Sequence, residues 1–392
     1  MASPRRGERF DIADIVREHR AELERQHRLT SAQKRVLTDI AQCRTAALGG
    51  LMERCTSCDY QQPVYCSCRN RHCPKCQALA QEKWIEEQRG RMLDMKHFHV
   101  VFTLPAELRP LARFAPAVIF DALLRTVGRT LLEFGRRHLD STLGVTLVLH
   151  TWTRELEFHP HAHAIVSAGG LRRDETGFEK TADGYLFSIG NLATVCRGKL
   201  VHELWEAYRR GAFAGFDEFD DPEGFSRLIN RLPKSWYAYA KPSFSKGEYV
   251  LQYLGRYTHR VAIANSRLLD VQPDVVEFKT RGGYSASLHP VEFLRRFTLH
   301  VLPAGFRKIR HYGLNASVSK REKARELLGL DAPQSVTMAW QERLQKITGR
   351  DVNQCPHCKA PLLRAAIPKL SARPLSRCRA PPQAPNAKAR VS

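Results

Sequence analysis

The most informative strand pattern of the chain begins at residue 158 and reads Phe158-His159-Pro160-His161-Ala162-His163-Ala164-Ile165-Val166. In an extended strand alternate side chains share one face, so His161 and His163 point the same way and Ala162 points to the other face. Two neutral imidazoles side by side supply half of a divalent-metal site. We therefore expect a strand that carries a metal ion.

The segments around this strand predict an open antiparallel sheet. Residues 145–152 are strand-like and close enough in sequence to pair with the histidine strand as a hairpin. Residues 98–104 form another strand pattern, and residues 118–139 have the apolar spacing of an amphipathic helix. The predicted fold class is α+β, with an N-terminal helix and a small zinc-binding module followed by an antiparallel sheet with helices on one face.

The pair of histidines requires at least one further ligand. His159 follows the same alternation, although Pro160 breaks the strand pattern between them, and Glu155 lies just upstream as a source of oxygen. Two imidazoles with an oxygen ligand suit Mg²⁺ or Mn²⁺ acting on a phosphate. The third ligand is therefore His159 or Glu155 in this interpretation, and a purely structural role for the histidines is the alternative.

The overall charge indicates a polyanionic partner. The chain has 392 residues with 62 Lys+Arg against 40 Asp+Glu, which gives a formal net charge of +22. Nucleic acid is the usual partner of so basic a protein. Neither a long apolar span nor an apolar signal core is visible, so we expect a soluble cytoplasmic protein with no membrane partner.

Cysteine spacing predicts structural zinc. Seven of the eleven cysteines fall between Cys43 and Cys76, and a cytosolic chain uses such clusters for metal rather than for disulfides. Two C-x-x-C elements have the spacing of a four-cysteine Zn²⁺ site, and the predicted ligands are Cys55, Cys58, Cys73 and Cys76. Other nearby candidates are Cys43, Cys66, Cys68 and His72.

Two further features of the cysteine-rich regions remain open. Arg69 and Arg71 lie between the two C-x-x-C elements and suit contact with DNA phosphates, with a solvated surface as the alternative. Cys355 and Cys358 form another C-x-x-C element without an obvious second half, so the sequence does not decide whether it binds metal.

Tyrosines recur every fourth residue at Tyr249, Tyr253 and Tyr257. On a helix this spacing stacks their hydroxyl groups along one side. A phenol with a pKa near ~10 is a poor nucleophile at neutral pH, but a metal ion and cationic neighbours favour its phenolate form. Arg256 and Arg260 are such neighbours, and we expect both of them to bind DNA.

These motifs together resemble those of the two-tyrosine HUH transposases of rolling-circle insertion sequences, the insertion sequence ninety-one family. The resemblance extends from about Val16 to Leu363. Its most specific stretches are Ser67-Cys68-Arg69-Asn70-Arg71-His72-Cys73-Pro74-Lys75-Cys76-Gln77, Phe98-His99-Val100-Val101-Phe102-Thr103-Leu104-Pro105, residues 159–166, Tyr253-Leu254-Gly255-Arg256-Tyr257-Thr258-His259-Arg260 and Ile309-Arg310-His311-Tyr312-Gly313.

The resemblance implies roles for individual residues. His161 and His163 would hold the catalytic metal, and Tyr253 and Tyr257 would be the nucleophiles, although spacing alone also allows the pair Tyr249 and Tyr253. It implies an enzyme that cleaves and rejoins single-stranded or hairpin DNA at the ends of a mobile element, through a 5′-phosphotyrosine intermediate. The alternatives are a catalytically inactive zinc-dependent DNA-binding protein and a hydrolytic nuclease that uses water.

The expected organisation has three parts. Residues 1–95 form an N-terminal helix and the zinc-binding domain, and residues 96–320 form the two-tyrosine catalytic domain. Residues 321–392 contain a C-terminal helix, the unpaired C-x-x-C element and a basic disordered tail from about residue 360. A DNA substrate also implies association with the bacterial nucleoid.

Overall fold

A computed structural model describes residues 10–182, 186–221, 223–244, 255, 262–331 and 338–370. The helices in these ranges are α1 Ile12–Gln26, α2 Ser31–Gln42, α3 Gln77–Arg89, α4 Arg109–Phe114, α5 Pro116–Leu139, α6 Ile189–Arg209, α7 Gly224–Arg231, α8 Pro290–Thr298, α9 Val318–Leu328 and α10 Trp340–Thr348. The strands are β1 Gly50–Cys55, β2 Gln61–Tyr65, β3 His97–Thr103, β4 Ser141–Trp152, β5 Phe158–Arg172, β6 Phe178–Lys180, β7 Ala238–Phe244, β8 Leu268–Val271, β9 Val276–Lys279, β10 Ser285–Leu288, β11 Ile309–Gly313 and β12 Leu362–Ile367.

The central sheet has the strand order β11-β4-β5-β3-β7, with β6 paired to β5, and all of these pairs are antiparallel. The hairpin predicted from the sequence is the β4–β5 pair, in which His150 lies opposite His161 and Val148 lies opposite His163. The α+β class and the antiparallel sheet are thus confirmed.

One face of this sheet carries the main hydrophobic core. Ala162, Ala164 and Val166 of β5 are fully buried in this core, where α5 packs against β5 and α6 packs against α5. Their alternation with His161 and His163 is the period-2 pattern of a strand whose two faces have different environments. Burial of the apolar face therefore fixes which face the histidines occupy.

The opposite face is partly covered by α3. Trp84 and Ile85 of this helix form a small apolar cluster with Val148 of β4 and Ile165 of β5. Helices therefore contact both faces of the sheet, whereas the sequence analysis placed them on one face. The cause is local, because α3 begins directly after Cys76 and its position is set by the zinc-binding module.

The N-terminal helices have a core of their own. Thr30 and Gln33, whose spacing in the sequence is that of a capping box, form one at the start of α2, where it satisfies two backbone N–H groups. Buried apolar residues of α1 and α2 pack with α8 and with the small sheet of order β10-β9-β8. Phe278 and Phe293 are fully buried in this second core.

The C-terminal segment returns to the N-terminal module. Strand β12 pairs with β1 over six residues, in a three-stranded sheet of order β12-β1-β2. Residues 362–367 are thus ordered, although the sequence analysis expected disorder from about residue 360, and they contact a region that it assigned to another domain. Residues 371–392, the rest of the predicted tail, lie outside the described residues.

In the described part of the chain, no helix has both the length and the apolar character needed to span a membrane.

Candidate functional site

Three histidines converge on the sheet face that points away from the main core. His161 and His163 come from β5, and His150 comes from the adjacent β4. One nitrogen of each ring lies within 4.8 Å of the others, and the His150 ring centroid is 4.3 Å from that of His163. Three imidazoles this close can share one metal ion.

Hydrogen bonds determine which nitrogen of each β5 histidine faces the cluster. Nδ1 of His161 lies 2.6 Å from the His159 carbonyl oxygen; a carbonyl only accepts, so this nitrogen carries the proton and leaves Nε2 as a ligand. Nδ1 of His163 lies 2.8 Å from Nε2 of His99 on β3. Such outer contacts orient ligating histidines in metal sites.

The protonation state of the cluster suits a cation. Burial lowers the pKa of His161 to about 4. Burial, together with the charge of the neighbouring histidines, lowers the pKa of His150 and of His163 well below the usual value. The three rings are therefore neutral at physiological pH, and the lone pairs that a metal needs are available.

The two residues expected as third ligand lie elsewhere. Nδ1 of His159 is 2.7 Å from Nη2 of Arg109, and Glu155 is exposed in the β4–β5 connection. Neither belongs to the three-histidine group; His150 does. Sequence analysis missed His150 because its proximity depends on the register of β4 against β5, which shifts between His150 and Trp152.

A half-buried lysine lies close to these rings. Lys308, just before β11, is half-buried, and its positive charge contributes to the low pKa of His150. Burial and then the charge of Arg71 lower the pKa of Lys308 itself to about 7. In its charged form Lys308 places a cation beside the three histidines, and such a cation suits an anionic group such as a phosphate.

Most of the tyrosine motif lies outside the described residues, including Tyr249, Tyr253, Tyr257, Arg256 and Arg260. Gly255 is described, and it is helical and buried. A Cβ atom on Gly255 would lie 2.5 Å from Cδ1 of Ile85 on α3, so the chain at this point depends on glycine for close packing. Ile85 contacts the histidine-bearing face of the sheet through Val148 and Ile165.

The cysteines form two separate groups of four. The first group consists of Cys43, Cys68, Cys73 and Cys76, and the second consists of Cys55, Cys58, Cys355 and Cys358. The ligand set expected from the sequence, Cys55 and Cys58 with Cys73 and Cys76, is therefore not the one that the structure assembles. Cys55 ends β1, whereas Cys76 directly precedes α3, and each of the two C-x-x-C elements meets other cysteines.

The first group has the geometry and the chemistry of a zinc site. Sγ of Cys76 lies 3.2 Å from Sγ of Cys43 and 3.6 Å from Sγ of Cys68. Contacts with Cys43 and Cys68 hold the pKa of Cys76 far below its usual range, and contacts with Cys43 and Cys73 raise the pKa of Cys68 far above it. Four thiols this close ionise together only around a cation.

The second group brings together cysteines from an N-terminal and a C-terminal segment of the chain. Sγ of Cys55 lies 3.3 Å from Sγ of Cys358, and Sγ of Cys58 lies 3.6 Å from Sγ of Cys355. The Ser57 N–H group donates to the sulfur of Cys55, and this hydrogen bond is the main reason that the pKa of Cys55 falls to about 6. The C-terminal C-x-x-C element, unpaired in the sequence analysis, thus has a second half.

His72 and Cys66 belong to neither group. Nδ1 of His72 lies 3.0 Å from Oδ1 of Asn70, and its Nε2 accepts the Leu302 N–H group at 3.1 Å. Both ring nitrogens are therefore occupied within the protein, and burial lowers the pKa of His72 to about 3. His72 connects the zinc-binding module to the segment before β11 and is not placed to bind metal.

The two arginines of the module differ in what they contact. Arg71 donates to the main-chain carbonyl oxygens of Pro303 and Phe306, both at 2.6 Å. These contacts use much of its guanidinium group, so the DNA contact expected of Arg71 has little support from its geometry. Arg69 is exposed and lines a groove of about 670 Å³ together with Arg35 and Lys369.

Comparison with known proteins supports a shared ancestry for most of the chain. A family described as "Putative transposase" matches residues 144–323, and a "Transposase zinc-binding domain" matches residues 15–104. The first range contains all three clustered histidines, and the second contains the first cysteine group. Cys355 and Cys358 lie beyond both ranges.

Two relatives match this chain over most of their own length. A protein of Sinorhizobium fredii named "Putative transposase y4qJ" is 38% identical over 368 residues, which are 89% of this chain and 92% of the relative. The "Transposase for insertion sequence element IS801" of Pseudomonas savastanoi pv. phaseolicola is 28% identical over 313 residues, 74% of this chain and 72% of the relative. No solved structure matches the chain. The chain belongs to the transposases of the insertion sequence ninety-one family.

Proposed function

We propose that this transposase cleaves and rejoins single-stranded DNA at the ends of a mobile element by tyrosine transesterification, as in rolling-circle transposition. The observation that carries the proposal is the group of three neutral imidazoles from His150, His161 and His163 on one sheet face. A divalent ion bound there would polarise the scissile phosphate and favour attack by a phenolate. Of the two ions expected, Mn²⁺ suits an all-imidazole set better than Mg²⁺, which prefers oxygen ligands.

The surrounding residues would keep the site ready for substrate. His99 and the His159 carbonyl hold the two β5 imidazoles in one orientation, so little ordering is needed when substrate arrives. The cation of Lys308 close to His150 would attract a phosphate and offset its negative charge.

The proposed nucleophiles are Tyr253 and Tyr257. In the first step a phenolate oxygen attacks phosphorus, the bond from phosphorus to the 3′-oxygen breaks, and the departing strand end takes up a proton as a 3′-hydroxyl group. The tyrosine then carries the 5′-phosphate. This exchange conserves the phosphoester, so no ATP is consumed, and a second tyrosine can attack another strand while the first remains loaded. The buried position of Gly255 against α3 supports this motif as part of the catalytic domain.

The first cysteine group would serve DNA recognition. We assign a structural Zn²⁺ to Cys43, Cys68, Cys73 and Cys76, which agrees with the matched zinc-binding domain. Arg69 follows Cys68 directly and is exposed beside a basic groove, so zinc would fix a cationic loop that can contact DNA phosphates. Single-stranded or hairpin ends of the element are the proposed ligands, and their location implies a protein associated with the nucleoid.

Detection of a covalent adduct tests this function. Purified protein is incubated with Mn²⁺ and single-stranded DNA that carries the element's own end sequences and a label at its 3′ end, and the products are separated on a denaturing gel. We expect a labelled protein band that survives detergent, is absent in His161→Ala and is lost or reduced in Tyr253→Phe and in Tyr257→Phe. Tyr249→Phe is the matched control and should retain the band.

The other outcomes contradict the proposal in distinct ways. Nicked DNA without an adduct would identify a hydrolytic nuclease that uses water. DNA binding without either product, on DNA with the element's own ends, would identify a zinc-dependent DNA-binding protein that has lost catalysis. An adduct that persists in both Tyr253→Phe and Tyr257→Phe but disappears in Tyr249→Phe would move the nucleophile to Tyr249.

A further inference from the structure

The two C-x-x-C elements of the second cysteine group have the same local geometry. In the first element the Cys55 N–H group donates to the Tyr60 carbonyl oxygen at 2.9 Å, and in the second the Cys355 N–H group donates to the Ala360 carbonyl oxygen at 2.8 Å. In each element a backbone N–H group two residues on also donates to the leading sulfur, from Ser57 at 3.3 Å and from His357 at 3.4 Å.

Both elements also continue into equivalent strands. Strand β2 follows the first element and β12 follows the second, and the two strands pair with opposite edges of β1. The ring of Tyr60 contacts the ring of His357 with centroids 5.2 Å apart, so the turns face each other. Two similar turns that each present two sulfurs to a common point form the usual frame of a tetrahedral four-thiolate site.

The distances between sulfurs agree with a shared ion. The Sγ pairs of Cys55 with Cys358, Cys58 with Cys355 and Cys58 with Cys358 are 3.3, 3.6 and 3.6 Å apart. Four thiolates about 2.3 Å from one zinc ion are separated by about 3.8 Å, whereas the sulfurs of a disulfide are about 2.05 Å apart. The observed separations therefore match ligands of one ion much better than a pair of disulfides.

We propose that Cys55, Cys58, Cys355 and Cys358 bind a second zinc ion, and that this ion fastens the C-terminal segment to the N-terminal module. The site is independent of the first zinc and of the histidine cluster. Its two halves lie about 300 residues apart in the sequence. The site therefore links an N-terminal segment to a C-terminal segment. Zinc suits it better than a redox metal because it takes a tetrahedral set of thiolates without changing oxidation state.

Other contacts of the C-terminal segment agree with this fastening. Arg343 of α10 forms an ion pair with Glu86 of α3 at 2.6 Å, and both side chains are largely buried. Lys346 of the same helix pairs with Glu82 at 2.9 Å. The segment is thus joined to the module by a strand, by a helix and by the proposed ion. Because α3 also supports Gly255 through Ile85, the ion would stabilise the framework behind the catalytic domain.

Counting zinc in the purified full-length chain tests the proposal. Native mass spectrometry and elemental analysis should find at least two zinc ions per chain, since the three-histidine group can also take zinc, and no iron. The double variant Cys355→Ser/Cys358→Ser should contain one zinc ion fewer than the wild-type chain. Cys66→Ser is the matched control, because Cys66 lies in the same module but in neither group, and it should retain both ions.

Differential alkylation of the wild-type chain provides a second readout that does not require a variant to fold. Cys358 is exposed, so burial cannot protect its thiol. We expect Cys358 to resist alkylation in the native protein and to react after zinc is chelated, together with Cys55.

One zinc ion per wild-type chain, iron in place of the second zinc, equal zinc contents in the double variant and the wild-type chain, or rapid alkylation of Cys358 in the native protein would each overturn the proposal. None of these measurements depends on DNA cleavage, so a failure here is distinct from a failure of the proposed function.

Discussion

Nε2 of His99 lies 2.8 Å from Nδ1 of His163, and the two rings are stacked with centroids 5.0 Å apart. His99 comes from β3 and His163 from the adjacent β5, where it is one of the three clustered histidines. His99 thus contacts the ring of a proposed ligand without belonging to the cluster, and we infer that it positions this ring. Outer contacts of this kind set ligand orientation and basicity in metal sites.

Replacing His99 should weaken metal binding without removing a ligand. We expect His99→Phe, which keeps a ring in the stack but removes the nitrogen, to lower the affinity for Mn²⁺ by about 10- to 100-fold. Electron paramagnetic resonance of free Mn²⁺ during titration measures this change. His311→Phe is the control, because His311 contacts Thr146 on the same sheet, and should bind Mn²⁺ normally. An unchanged affinity in His99→Phe would show that the contact has no role in positioning.

The identity of the third ligand gives a second prediction. The structure groups His150 with His161 and His163, whereas the sequence favoured His159 or Glu155. We expect His150→Ala to weaken Mn²⁺ binding by more than about 100-fold, a larger loss than that caused by an outer contact. His159→Ala should retain binding, because the His159 ring contacts Arg109 and the bond to His161 comes from its main-chain carbonyl.

Isothermal titration with Mn²⁺ separates these possibilities in one series of variants. The zinc content of each variant serves as a check that the rest of the protein is intact. Normal Mn²⁺ affinity in His150→Ala, combined with loss of affinity in His159→Ala or in Glu155→Ala, would identify His159 or Glu155 as the third ligand, as the sequence predicts.

Local patterns in the sequence predict several elements of the fold. The alternation around His161 and Ala162 predicts β5 and its two faces, and the apolar spacing of residues 118–139 predicts most of α5, which the structure gives as Pro116–Leu139. These features depend only on residues close together in the sequence. At that range the two-residue repeat of strands and the 3.6-residue repeat of helices are visible in the pattern of apolar side chains. The capping box at Thr30 is of the same kind.

The sequence does not predict features that depend on strand register or on contacts between residues far apart in the chain. His150 reaches the cluster only through the alignment of β4 with β5. A C-x-x-C element fixes the spacing of two ligands, but which two elements meet depends on strand order, and β12 lies beside β1 because of its pairing rather than its position in the chain. Spacing alone therefore predicts one zinc site from Cys55, Cys58, Cys73 and Cys76, whereas the structure divides these cysteines between two groups.

Acid should destabilise the protein through its buried histidines. Burial lowers the pKa of His97 and of His300 to about 4, below the value of 6.5 for an exposed histidine. A group whose pKa is lower in the folded state contributes stability above pH 6.5, and this contribution is lost as the pH falls toward 4. For one such histidine the loss between pH 7 and pH 5 is about 2 kcal/mol.

Urea unfolding at pH 7 and at pH 5 measures this effect, and His97→Gln isolates one contribution. Glutamine does not titrate, so the variant should lose about 2 kcal/mol less than the wild-type chain between the two pH values. Both proteins carry the same two cysteine groups, so any acid release of metal from them cancels in the comparison. Equal losses in both proteins would mean that His97 does not stay neutral in the folded state.

The close approach of Gly255 to Ile85 predicts a pair of compensating substitutions. A Cβ on Gly255 would lie 2.5 Å from Cδ1 and 2.7 Å from Cγ1 of Ile85, so Gly255→Val should destabilise the protein by about 1–3 kcal/mol through overpacking. It should also reduce the DNA adduct, because Gly255 lies between the proposed nucleophiles. Gly198→Val is the control, since a Cβ on that exposed helical glycine meets no atom within 4 Å.

Ile85→Ala removes both atoms that a side chain on Gly255 would meet. Alone it should cost about 2–5 kcal/mol, because it leaves a cavity beside Val148 and Ile165. Combined with Gly255→Val it should cost less than the sum of the two single changes by at least about 1 kcal/mol, since the new side chain occupies the vacated volume. Urea unfolding of the four proteins gives this coupling, and adduct formation should recover in the double variant. Additive losses would mean that Gly255 does not pack against Ile85 in solution, and the link between α3 and the tyrosine motif would have to be abandoned.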